Sequence, residues 1–74
     1  MNERNDNYGL TPTEQKVLAQ LAMGKSNPQI GLMLHISPHT VKIYVARILE
    51  KFSVKNRIQA TAKAVREHIV DVDL

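Results

Sequence analysis

The chain has 74 residues, with Lys+Arg 10 against Asp+Glu 7, a formal net charge of +3 and no cysteine. That length allows one small domain with a thin core. The missing thiols exclude a disulfide framework and any cysteine-based zinc site and fit a reducing cytoplasm, and no apolar run approaches the roughly 20 residues of a membrane span.

Residues 1–9 are polar and without periodicity, and read as a flexible leader with no apolar signal core. The stretch "LTPTEQKVLAQLAMGK" then opens a first helix, expected over residues 12–23. Thr11 can cap it, Pro12 suits the first helical position, and Glu14 completes a Thr-x-x-Glu capping box. Val17, Leu18, Leu21 and Ala22 share one face, and Gly24 supplies a left-handed stop. A second, short helix is expected over 28–34, with Asn27 as cap, Pro28 first, and Ile30, Met33 and Leu34 facing inward. Gly31 in its interior costs roughly 1 kcal/mol relative to alanine, which suggests either a close helix-to-helix approach or a simple weak spot.

"HISPHT" breaks the pattern. Ile36 is expected to point inward as a plug, Ser37 to cap and Pro38 to begin a third helix that runs to Phe52. Val41, Val45, Ile48 and Phe52 form its inward stripe, with Leu49 beside them. Asn56 is a cap for a fourth helix, expected over 57–69. That helix has two apolar faces: Ile58, Ala62, Val65 and Ile69 on one, Ala60 and Ala64 on the other. A terminal helix needs only one buried face, so the second points to a partner surface, most simply a symmetric dimer. Residues 71–74 read as an acidic tail. The fold class expected is all-α, a four-helix bundle with a central helix-turn-helix and a fourth helix for dimerisation.

Two helices joined by a tight turn leave the second one protruding, with its outward face free to enter a DNA major groove. At about 100° per residue, the face opposite the stripe holds His39, Lys42, Ile43, Ala46, Arg47 and Glu50, with Thr40, Tyr44 and Lys51 on its flank. Lys42 and Arg47 can donate to guanine edges or to phosphates; Ile43 and Ala46 can meet thymine methyls. Glu50 could accept from a cytosine amine, or pair in solvent with Lys51 or Arg47. The charge distribution agrees: from Lys25 to Arg57 the bases Lys25, Lys42, Arg47, Lys51, Lys55 and Arg57 meet Glu50 as the lone acid, and the other acids lie toward the ends. A basic middle suggests an anionic partner. An ordinary solvated helix surface with one stray isoleucine would also fit these residues taken alone.

The sequence resembles the LuxR/GerE-type (NarL/FixJ-type) helix-turn-helix domain over residues 10–66. The matching elements are Leu10-Thr11-Pro12 with Glu14, Val17-Leu18, Gly24 with Ser26-Asn27, Ile30, Leu34, Ile36-Ser37, Thr40-Val41-Lys42, Ile48, Lys51, Val54, Arg57 and Ala60. The resemblance implies a domain over 10–70 that binds double-stranded DNA and regulates transcription. It implies base contacts from Lys42, Ile43, Ala46 and Arg47, and phosphate contacts from Asn27, Ser37, His39, Thr40 and Lys51. A homodimer is implied through Ile58, Ala62, Val65 and Ile69, with Ala60 and Ala64 toward the core. The implied setting is the bacterial cytoplasm, at the nucleoid when bound to repeated half-sites near a promoter, with RNA polymerase as a further partner. Members often carry an N-terminal receiver or small-molecule-binding domain, so the chain is expected to be either a free-standing regulator or an effector domain. Departures from the family pattern are Lys16 where a second acid is common, Gly31 for alanine, His35 at a turn position often glycine, Tyr44 where histidine is frequent, and Phe52-Ser53 for Leu-Gly.

Other chemistry finds little support. His35 and His39 have the spacing of a metal pair, but Ser37-Pro38 puts them on opposite sides of a turn. There is no glycine-rich phosphate loop, no nucleophile elbow and no acid pair with a pocket to hold it, so neither an enzyme, a metal nor a cofactor is expected. The competing readings are an antagonist that pairs through the fourth helix with a full-length family member without reading DNA, and a non-specific DNA coater. Retention of Lys42, Arg47 and Lys51 argues against the antagonist.

Overall fold

Each helix starts on a side chain that satisfies its free amides. In the computed structural model, which describes residues 8–70, these helices are α1 (Pro12–Ala22), α2 (Asn27–Leu34), α3 (Pro38–Phe52) and α4 (Arg57–Arg66), with no strand among the described residues. At α1 the box is reciprocal: the Glu14 amide donates to Thr11 Oγ1 at 3.1 Å and the Thr11 amide to Glu14 Oε1 at 2.9 Å. Ser37 Oγ accepts from the Thr40 amide at 3.0 Å ahead of α3, and Asn56 Oδ1 from the Gln59 amide at 2.9 Å ahead of α4. These three starts are the ones the sequence leads one to expect. The second is displaced by one residue. Ser26, not Asn27, caps α2, in a second reciprocal box with Gln29 (2.8 and 3.3 Å), and Asn27 is the first helical residue. Asn27 is thereby free to use its side chain elsewhere.

The helix ends share one device. Gly24 (φ 83°), His35 (φ 60°), Ser53 (φ 56°) and His68 (φ 57°) all lie in the left-handed region. The next amide returns to the helix each time: Lys25 to Gln20 O, Ile36 to Gly31 O, Val54 to Leu49 O and Ile69 to Ala64 O, at 2.8–3.2 Å. This is the Schellman arrangement. It cuts α4 off at Arg66, three residues short of the expected end, and turns Ile69 back against the core instead of continuing the stripe. After each of the three non-glycine residues comes an apolar one, Ile36, Val54 or Ile69, packed on the core. A left-handed non-glycine residue costs roughly 1–2 kcal/mol, and these partly buried aliphatic side chains return a part of the roughly 1.5–3 kcal/mol of full burial. The apolar neighbour therefore offsets much of the strain of the turn.

Helix α3 packs against all three other helices. Its stripe Val41, Val45, Ile48 and Phe52 is buried with Val17, Leu18 and Leu21 of α1, Ile30 of α2, and Ala60 and Ala64 of α4. Leu49 and the plug residue Ile36 pack on this core from its edge. Two expected inward residues do not face in: Ala22 is only half-buried and Met33 is exposed. Helix α2 has only two turns, and its buried strip is Ile30 with Gly31. Gly31 faces the turn that follows. A Cβ there would lie 2.5 Å from the Ile36 carbonyl oxygen and 3.3 Å from the Ser37 carbonyl carbon. The close approach at this glycine is therefore not helix to helix, as expected, but to the backbone of the turn.

The segment before α1 is held in place from Tyr8 onward, inside the stretch read as a leader; residues 1–7 and the tail 71–74 lie outside the described residues. The Tyr8 ring meets Phe52 edge-on, with centroids 5.0 Å apart. Its hydroxyl donates to Glu67, and the Lys63 ammonium sits 4.7 Å above its centroid. Lys63 also donates to the Phe52 carbonyl at 3.2 Å, a cation at the C-terminus of α3 where the helix dipole favours one.

Candidate nucleic-acid interface

The outward face of α3 follows from its inward one. With Val41, Val45, Ile48 and Phe52 buried, His39, Lys42, Ile43, Ala46, Arg47 and Glu50 are all exposed. Ile43 is 40% exposed. The face therefore has an apolar middle, Ile43 and Ala46, between cationic side chains, Lys42 toward one flank and Arg47 toward the other. The helical angle between these two is roughly 140° at 100° per residue. Thr40 and Tyr44, on the Arg47 flank, are half-buried. The Arg47 guanidinium lies over the Tyr44 ring, 5.7 Å from its centroid.

The turn that presents this face is closed by backbone contacts. The Ile36 amide donates to Gly31 at 2.9 Å, and the Ile36 carbonyl sits against the open side of Gly31. Ser37 and Thr40 hydroxyls meet at 3.0 Å across the first turn of α3. Ser37 and His39 are exposed there. The starts of α2 and α4 are tied by Arg57, which donates to the Asn27 side-chain oxygen and, at 3.4 Å, to the Lys25 carbonyl. That bond occupies the acceptor of the Asn27 amide and leaves its NH2 group as the donor.

At the other end of α3, Lys51 has a different occupation from the one expected. It does not pair with Glu50. Its ammonium lies 2.6 Å from Glu14 Oε1 and donates to the Gly9 carbonyl at 3.0 Å. The Glu14 side chain is 2% exposed and that of Lys51 32%. Burial pushes the Glu14 carboxyl up, but the Lys51 ammonium and the Thr11 amide and hydroxyl outweigh it and hold the carboxyl below its ordinary value. An ionised carboxylate thus sits under the domain and pins the C-terminal part of α3 to the start of α1. The sequence shows Glu14 as a capping residue, and nothing local signals a partner 37 positions away. The Arg57–Asn27 bond and the Lys63 cap are likewise tertiary contacts without a local pattern.

On α4 the inner alanines Ala60 and Ala64 are fully buried, as the two-faced pattern suggests. Ile58 is 77% and Val65 41% exposed, and Ala62 is exposed beside them. Ile58 and Ala62 border an apolar groove of about 400 Å³ whose far wall is Leu21, Ala22 and Gly24 at the end of α1. Ile69 stands apart from this strip, beyond the end of the helix.

A family model described as "Bacterial regulatory proteins, luxR family" matches residues 8–64. The probable transcriptional regulatory protein NarL of Mycobacterium tuberculosis (strain ATCC 25618 / H37Rv) is 40% identical over 62 residues, 84% of this chain and 29% of that protein. The transcriptional regulatory protein LiaR of Bacillus subtilis (strain 168) is 42% identical over 62 residues, with the same two coverages. The nitrate/nitrite response regulator protein NarP of Escherichia coli (strain K12) is 46% identical over 52 residues, 70% of this chain and 24% of that protein. The chain thus spans less than a third of the length of these curated relatives. A solved structure of the transcription factor GerE superposes with a TM-score of 0.81 at 26% identity, covering 93% of this chain and all of that one. The family model, the relatives and the fold agree, and the chain belongs to the luxR family of bacterial regulatory proteins.

Proposed function

We propose that this domain binds double-stranded DNA sequence-specifically, with α3 in the major groove, and that it regulates transcription. The observation that carries the reading is the exposed face of α3, where Lys42, Ile43, Ala46 and Arg47 stand clear of the core on a helix fixed at both ends. Lys42 and Arg47 donate to base edges, and Ile43 and Ala46 fit against thymine methyls. Ser37, His39 and Thr40 lie at the start of α3 and Asn27 at the start of α2, where hydroxyl, imidazole and amide donors suit phosphates. Lys51 enters this scheme as a positioning residue, because its ammonium is committed to Glu14.

The exposed strip Ile58, Ala62 and Val65 supports a symmetric dimer through α4, on repeated half-sites. Ile69 belongs to this interface only at its margin, given its packing on the core. Regulation then follows from contact with RNA polymerase or obstruction of it.

The test is selection from a random duplex library by the purified domain at near-physiological salt. Enrichment of a repeated half-site is expected. A folded protein that enriches nothing overturns sequence-specific reading and favours an antagonist that pairs through α4; uniform retention of all duplexes favours a non-specific coater.

A further inference from the structure

Tyr44 is a departure from the family pattern on the flank of the reading face, and its surroundings differ on its two sides. Toward the domain, its ring packs against the buried core. Toward solvent, it carries the Arg47 guanidinium, 5.7 Å from its centroid. Arginine has a long side chain with high rotamer entropy, and ordering it on binding costs affinity. A guanidinium resting on an aromatic face that is itself anchored has part of that ordering already done. The stack also draws Arg47 toward the Tyr44 flank, away from the apolar middle and from Lys42 across the face.

We propose that Tyr44 is a positioning residue for specificity: it holds Arg47 against one flank of α3, so that Arg47 reads a single base pair per half-site. This rests on the DNA-reading function above. Lys42, which has His39 rather than a tyrosine at the same helical offset, reads its own base pair independently of Tyr44.

The experiment compares wild type, Tyr44→Phe, Tyr44→Leu, Arg47→Met and the double variant Tyr44→Leu/Arg47→Met. Affinity is measured on the selected operator and on a panel with each half-site base pair changed in turn, with melting curves to confirm folding. Tyr44→Leu keeps an apolar side chain on the core and removes the π face. It is expected to lose about two- to fivefold discrimination, the strength of an exposed cation–π contact, at the base pair where Arg47→Met also loses it. Tyr44→Phe is expected to retain it, and Tyr44→Leu to add nothing at that base pair in the Arg47→Met background. Equal losses at every base pair, failure of Tyr44→Phe to rescue, or a full Tyr44→Leu effect in the double variant would each overturn the assignment while leaving the DNA-reading function standing. Failure of wild type to select any sequence would remove both.

Discussion

Lys51 offers the sharpest test of how α3 is held. Substitution by methionine keeps the aliphatic stem and removes the ammonium. It strands a Glu14 carboxylate that is only 2% exposed, with the Thr11 amide and hydroxyl as its remaining support. Breaking a fully buried pair from one side costs about 3–5 kcal/mol; Lys51 is a third exposed, so the low end, about 3 kcal/mol, is expected at pH 7. The pH dependence should also change sign. In wild type the folded carboxyl has a lowered pKa, so its contribution is fully present above the unfolded value of about 4.3 and is lost as pH falls through the folded value. Without the ammonium, burial dominates and raises the folded pKa. The neutral carboxyl is then the favoured form, and stability is lost as pH rises through the new value. Urea unfolding followed by far-UV circular dichroism at pH 7 and pH 5 measures both effects: a gap of about 3 kcal/mol that narrows on acidification. A gap below about 0.5 kcal/mol, typical of a surface pair, would refute the reasoning. If the salt dependence of DNA binding also fell by about one unit, Lys51 would be a phosphate contact.

Gly31→Ala should destabilise the domain by about 1–3 kcal/mol despite the better helix propensity of alanine, because the atoms it meets are turn backbone and cannot swing aside; a rise in the urea midpoint would refute this. Ser53→Gly and His35→Gly should each add about 1 kcal/mol by relieving a left-handed side chain, and a lower midpoint would show a side-chain contact worth more than the strain. Val65→Glu should give a monomer by sedimentation with unchanged helicity, whereas an unchanged dimer mass would move the interface off α4. Lys42→Ala should cost about 1–3 kcal/mol on the selected operator and relax one base pair; equal losses on operator and random DNA would remove its base-reading role.

Local chemistry made most of the fold legible. Thr11-Pro12 with Glu14, Ser37-Pro38 and Asn56 each announce a helix start without ambiguity, and the stripe Val41, Val45, Ile48 and Phe52 has one possible inward face. That stripe also defines the outward candidates Lys42, Ile43, Ala46 and Arg47 by exclusion. Ambiguity entered where two capping residues stand side by side, Ser26 and Asn27, and Gln29 favours the first. It entered again at Met33, which is exposed on a two-turn helix whose buried strip is only Ile30 with Gly31. The α4 boundary was hidden because Ile69 continues an apolar period while its backbone has already left the helix. The long-range ties were invisible in principle. Glu14 with Lys51 and Asn27 with Arg57 join residues 37 and 30 positions apart, and each partner has an adequate local explanation on its own.

The anchored Tyr8 fixes where the polypeptide enters the domain. Its ring sits on Phe52, the last residue of α3, and its hydroxyl reaches Glu67, just past the end of α4. Entry and exit of the chain therefore share one pole of the molecule. The first turn of α3, with Ser37 and His39, is at the opposite pole, about 22 Å away along a helix of 15 residues. Anything spliced ahead of Tyr8 or behind the end of α4 is delivered to the pole away from the start of α3, where DNA contacts are proposed. The domain can thus be hung from either terminus like a stamp from its handle, with the proposed contact surface at the start of α3 clear.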